Sequence, residues 1–334
     1  MAASSPRLPR LRPDLDIMPS PVKGQPGLLL RDPFHYSDAT LIVPPVLARC
    51  LGCFDGEQTE LHLRAMLARL LRRVEVAEPA GHLMRALHDA GFLDDDRFAE
   101  LREQRHAAFA RAPERAAAHA GSGYPDAAAP LAKTLAGYLA TTTARATKPA
   151  ATRRKKPSPL VGIAAPHVSP EGGIASYAAA YRALPRDLGD RTFVILGTSH
   201  YGAADRYGLT RKPFATPFGA AATDTRLVDA LARAAGDAAQ VEDYCHAVEH
   251  SIEFQVVFLQ HLFGANVRIL PVLCGAFVEG PTGGKPPEAS ATVARFCDAL
   301  GELAAREAER LFFVLGVDMA HVGRRYGDAR AARA

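Results

Sequence analysis

Three apolar runs in this chain each end in a polar turn that carries a histidine: Ala165-Pro166-His167, Gly197-Thr198-Ser199-His200 and Val317-Asp318-Met319-Ala320-His321. One histidine after a strand is ordinarily a hydrogen-bonded cap. Three at the same kind of position point to a metal or catalytic site, because imidazole is the commonest metal ligand and a metal needs convergent donors. A fourth group is His246-Ala247-Val248-Glu249-His250-Ser251-Ile252-Glu253. On a helix, positions i, i+3, i+4 and i+7 share a face, so two imidazoles and two carboxylates would point one way. The His-x-x-Glu-His spacing also fits the inverted zincin pattern, in which His246 and His250 bind zinc and Glu249 activates water. That reading leaves His167, His200 and His321 unexplained and ranks second.

The elements that must position these residues follow from hydrophobic patterning. Residues 160–165, 192–196, 267–273 and 311–317 read as buried strands, and 174–184, 225–235, 248–263 and 290–309 as amphipathic helices between them. That alternation predicts an α/β fold, a mostly parallel central sheet flanked by helices. Ligands of such sheets bind beyond the strand C-termini, where these histidines fall. Toward the N-terminus, runs 27–31 and 39–43 flank a turn-rich segment and predict a hairpin, followed by helices over 61–74 and 81–90. This is a small α+β module over 21–112, and its stretch 82–95 resembles winged-helix and PqqD-like modules. Pro281, Gly283, Gly284, Pro286 and Pro287 mark a surface loop between Phe277 and Ser290.

With 334 residues and 48% hydrophobic content, the chain has the length for two domains. Residues 1–20, rich in Pro and Arg, read as a disordered N-terminus without a secretory h-region. No run approaches the ~20 apolar residues of a membrane span. The five cysteines are scattered and odd in number, which suits a reducing cytoplasm rather than a disulfide framework. Cys50-Leu51-Gly52-Cys53 is half a zinc knuckle without a second half, so these read as buried thiols. The net charge of +4 comes from one tract, 141–158, where Arg145, Lys148, Arg153, Arg154, Lys155 and Lys156 have no acidic neighbour. Without those six charges the rest of the chain is slightly acidic, so the tract is read as a solvated loop and nucleic acid is not expected as a partner.

Taken in order, 165–167, 196–200, Thr216-Pro217-Phe218-Gly219, 248–255 and 317–323 resemble the motifs of the Memo family, whose bacterial branch is known as AmmeMemoRadiSam system protein B. Ala120-Gly121-Ser122-Gly123-Tyr124-Pro125 is similar to that family's opening motif and sets the domain at 115–334. The resemblance implies a fold like that of class III extradiol dioxygenases, which are non-haem iron enzymes. It also implies His167 and His200 as metal ligands and His250, with Glu249 beside it, as the catalytic acid/base group. A radical-SAM partner is implied by the bacterial name, as is the alternative of a non-catalytic scaffold within that system. The third ligand departs from the pattern, since Ala320 stands where relatives carry cysteine or glutamate. Asp318 would complete a 2-His-1-carboxylate triad suited to Fe(II), and His321 a site that also tolerates zinc or copper. The family domain continues beyond the Asp-x-x-His motif whereas this chain ends at Ala334, so a truncated C-terminus and an open sheet edge are expected.

Overall fold

The computed structural model describes residues 6–141, 160–278, 286–318, 321–322, 324 and 328–330. The basic tract, most of the Gly/Pro loop after Phe277, and Met319 and Ala320 lie outside the described residues. The chain divides into two compact units, Met1–Arg111 and Ala112–Ala334.

In the first unit, strands β1 (Asp16–Pro19), β2 (Leu28–Arg31) and β3 (Thr40–Val43) form an antiparallel sheet in that order, and β2 pairs with β3 as the hairpin predicts. Helices α1 (Glu60–Leu71), α2 (Ala77–Asp89) and α3 (Asp96–Arg111) follow. Thr59 and His62 form a capping box that starts α1. The expected disorder over 1–20 is wrong for the described part. Leu8 and Leu15 are buried in this unit's core, and the Arg12 guanidinium forks onto the Asp32 carboxylate at 3.0 and 3.1 Å while lying 3.9 Å above the Phe98 ring. Composition suggested a solvated tail. The leucines interleaved with Pro and Arg instead bury enough surface to order it.

The second unit begins with α4 (Ala128–Ala140), β4 (Gly162–Ala165), α5 (Ile174–Arg182) and β5 (Thr192–Thr198). The short strands β6 (Tyr207–Leu209), β7 (Phe214–Thr216) and β8 (Gly219–Thr223) come next, then α6 (Thr225–Ala235) and β9 (Ala239–Val241). The unit continues with α7 (Cys245–Val248), α8 (Glu253–Phe263), β10 (Arg268–Cys274), α9 (Ala291–Arg306) and β11 (Leu311–Gly316). Among the described residues the sheet order is β4-β11-β5-β10-β6-β9, with β8 also on β10 and β7 on β8. The β4–β11, β11–β5 and β5–β10 pairs are parallel. Side-chain alternation sends Phe193, Ile195, Phe312 and Val314 to the face covered by α4, α5 and α8, and Val194, Leu270 and Val272 to the face covered by α6 and α9. Asp224 caps α6 by accepting the Leu227 N–H at 3.2 Å. No described helix is long and apolar enough to cross a membrane.

The helix predicted over 248–263 starts only at Glu253, and a separate short helix, α7, precedes it. Residues 249–252 separate the two, with Glu249 extended at φ −77°, ψ 140°. The four residues His246, Glu249, His250 and Glu253 therefore do not share a face. The segment contains neither glycine nor proline, and tertiary partners supply the break.

Candidate metal centre

Because β4, β11 and β5 are adjacent and parallel, their C-terminal ends lie side by side. His167 follows β4, Asp318 follows β11 and His200 follows β5, so residues far apart in sequence meet at one sheet edge. His250 arrives from the break between α7 and α8. Two glycines let that break approach the strand ends: a Cβ on Gly197 would come within 2.5 Å of Ser251 Oγ, and one on Gly316 within 2.7 Å of the Ser251 carbonyl oxygen. Ser251 Oγ donates to the Thr198 carbonyl at 2.7 Å, and Gln255 Nε2 donates to that of Pro166 at 2.9 Å, fastening the break onto β5 and β4.

The rings of His167, His200 and His250 have centroids 5.0 to 5.6 Å apart. One nitrogen from each lies within 4.8 Å of the others, a grouping that could hold a metal ion. His167 Nδ1 is 2.9 Å from the Gly316 carbonyl oxygen, His200 Nδ1 is 3.1 Å from both Glu249 oxygens, and His250 Nδ1 is 3.1 Å from Glu249 Oε1. A carbonyl or ionised carboxylate can only accept, so Nδ1 of His167 and of His200 carries a proton and donates, while His250 Nδ1 lies at ion-pair distance from the same carboxylate as His200. The free nitrogen of the neutral His167 and His200 rings is then Nε2, with its lone pair available. Metal sites use such outer partners to fix tautomer and orientation.

Glu249 is 2% exposed and serves two histidines at once. Its oxygens also accept the backbone N–H groups of His200 and His250, both at 2.8 Å. Burial by itself would raise this carboxyl, but the hydrogen bonds from His200 and His250 outweigh it and hold Glu249 well below the ordinary carboxylate range. The same bond raises His200 above its usual value, against the lowering effect of burial. Burial lowers His167 despite the Gly316 carbonyl and Asp318.

The structure does not place the other expected residues alike. Asp318 Oδ1 accepts the His167 N–H at 2.9 Å, and its Oδ2 lies 3.8 Å from His167 Nε2 and 3.7 Å from His321 Nε2. It flanks the three-histidine group without joining it. The His321 side chain is 57% exposed and is not among the grouped histidines. His246 is also outside the group: it is buried against the Gly208 carbonyl at 3.1 Å, with its pKa lowered to about 4, mainly by burial. The zincin reading, which needs His246 as a ligand beside His250, is overturned by this geometry.

His119, absent from the sequence reading, has its ring edge-on to His250 at 5.6 Å and its Nε2 3.0 Å from the Val248 carbonyl oxygen. Burial lowers its pKa. The only signal was its place immediately before the Ala120–Pro125 motif. Cys50 and Cys53 are buried, as expected, and burial pushes the Cys50 thiol up to about 11.

The family model described as Memo-like protein matches residues 115–334, about two-thirds of the chain. The chain belongs to the Memo family. A MEMO1 family protein of Methanococcoides burtonii is 34% identical over 116 residues, covering 35% of this chain and 42% of that protein. One from Aquifex aeolicus is 23% identical over 300 residues, covering 90% of this chain and 73% of the relative. Another from Methanopyrus kandleri is 34% identical over 146 residues, covering 42% and 50%. The alignment thus spans about half or less of the archaeal relatives' length. Membership explains why the five Memo motifs occur in order, and the sheet topology explains why four of them converge: 165–167, 196–200, 248–255 and the turn after β11.

Proposed function

We propose that this Memo protein binds one divalent transition metal through Nε2 of His167, His200 and His250, with the Asp318 carboxylate alongside. The observation that carries this is the convergence of one nitrogen from each ring within 4.8 Å, with Nδ1 of His167 and His200 tethered to oxygens so that their Nε2 lone pairs are left for a shared ion. Bonds of about 2.1 Å set neighbouring ligand nitrogens roughly 3 to 4 Å apart, so the triangle needs only small side-chain adjustments. Imidazoles with a nearby carboxylate and an open side suit Fe(II), and also accommodate zinc or copper. We infer an oxidoreductase of dioxygenase-like architecture acting on a small chelating substrate such as a phenol. The bound metal would supply Lewis acidity and electron transfer to that substrate. The protein would contribute orientation through Glu249, shielding by burial of His167, and a second carboxylate at Asp318.

Elemental analysis of protein purified without added metal tests the reading. Near-stoichiometric iron or another transition metal is expected in the wild type, and a folded His167→Ala, His200→Ala variant should contain none. No metal in the wild type, even after anaerobic iron loading, would sink the proposal. His250→Ala separates two roles: lost metal makes His250 a ligand, whereas retained metal with lost oxygen uptake makes it the acid/base group.

A further inference from the structure

The break that presents Glu249 and His250 replaces backbone hydrogen bonds that a continuous helix would have made. In such a helix the His250 N–H would bond to the His246 carbonyl, and the Glu253 N–H to that of Glu249. Both carbonyls are instead taken by one side chain: Arg115 Nε donates to His246 O and Nη2 to Glu249 O, each at 2.7 Å. The remaining arm, Nη1, donates to Ala116 O at 2.8 Å and pairs with the Glu253 carboxylate. Glu253 is fully buried, and its other oxygen accepts the His119 N–H at 3.0 Å and the Tyr124 hydroxyl. Freed from His246, the His250 N–H turns to the Glu249 carboxylate, the same group that orients His200 and His250.

We propose that Arg115 is a positioning residue for the histidine site: its fork holds α7 and α8 apart, and that separation aims Glu249 at both Nδ1 atoms. This deepens the metal-binding proposal and rests on it. A guanidinium spreads five donors over three nitrogens in a fixed plane, whereas the three donors of a lysine ammonium share one nitrogen, so lysine keeps the charge for Glu253 but cannot span both carbonyls. Without the fork, the carbonyls of His246 and Glu249 become acceptors for the amides of His250 and Glu253, and the helix tends to rejoin. Glu249 then turns with it, away from one of its two histidines.

The test compares Arg115→Lys with Thr216→Val, which removes a buried hydrogen bond to Gln260 within the same unit but away from the histidines. Cobalt(II) is the probe, read by its dissociation constant and visible absorption, with thermal unfolding measured alongside. Expected are cooperative unfolding of Arg115→Lys, Co(II) binding weakened about tenfold or more, in the range for lost outer-shell partners, and a changed absorption band. Thr216→Val should lower the unfolding temperature and leave Co(II) affinity unchanged. Wild-type affinity and spectrum in Arg115→Lys would overturn the proposal. If that variant does not fold, the Arg115→Gln, Glu253→Gln double variant leaves no lone buried charge and is read the same way. Failure of both to fold would make Arg115 a stability residue and reject the positioning role. A wild type that binds no Co(II) refutes the metal reading itself. The fork is then judged by NMR of the His200 and His250 Nδ1–H signals, where loss in Arg115→Lys supports it and unchanged signals overturn it.

Discussion

Glu249 concentrates the contacts of the site in one side chain, because its carboxylate lies 3.1 Å from Nδ1 of both His200 and His250 and accepts the backbone N–H of each. Glu249→Gln keeps the shape but replaces one acceptor with a donor, so one Nδ1–H loses its partner. Metal affinity is expected to fall roughly 10- to 100-fold, measured by chelator competition, and His200 in the metal-free variant should titrate lower than in the wild type, measured by NMR. The pair also sets a pH window for the stability of the metal-free protein. The folded-state pKa of Glu249 is depressed, so its contribution is complete above the ordinary value of 4.5 and is lost as pH falls further. His200 is raised, so its contribution is complete below the ordinary 6.5 and is lost as pH rises through its folded value. This pair therefore stabilises the metal-free protein most between pH about 4.5 and 6.5. Denaturant unfolding against pH checks this, and in Glu249→Gln that plateau should flatten.

At the scale of elements, the site depends on how closely the break between α7 and α8 approaches β5 and β11. Gly316→Ala sets a methyl group 2.7 Å from a backbone oxygen, which no rotamer change relieves. The break must lift and carry His250 with it, so metal binding should weaken more than global stability, as titration and thermal unfolding of the variant would show. Unchanged affinity would mean the approach has slack. The strands that carry His167, His200 and Asp318 were legible in the sequence because buried parallel strands read as continuous apolar runs that end in polar turns. The break was not legible. Residues 248–263 keep helical spacing throughout, and the group that splits them, Arg115, lies 131 residues from His246. His250 therefore joins His167 and His200 by a route no local pattern reveals, and the shared-face arrangement with His246 failed for the same reason. Residues 6–20 were misread in the opposite direction, since their composition conceals the partners of Arg12.

At the scale of the molecule, the two units have separate cores, and every residue of the histidine site belongs to the second. Arg12→Ala would leave the Asp32 carboxylate buried without its cation, a loss of about 3 kcal/mol or more for a fully buried pair. Faster amide exchange confined to peptides from 6–111, with metal content unchanged, is the expected result; loss of metal would show that the units are energetically coupled.

The position of β11 between β4 and β5 has a consequence for biogenesis. His167 is synthesised 149 residues before Gly316, whose carbonyl orients its ring, and β5 has no β4-side neighbour until β11 inserts. At ribosomal speeds of about 5–20 residues per second, this interval is on the order of ten seconds. Through it the early histidines are only isolated imidazoles on a nascent chain. An ion held by these histidines would therefore be acquired after release or at the last stage of translation, by a site already assembled.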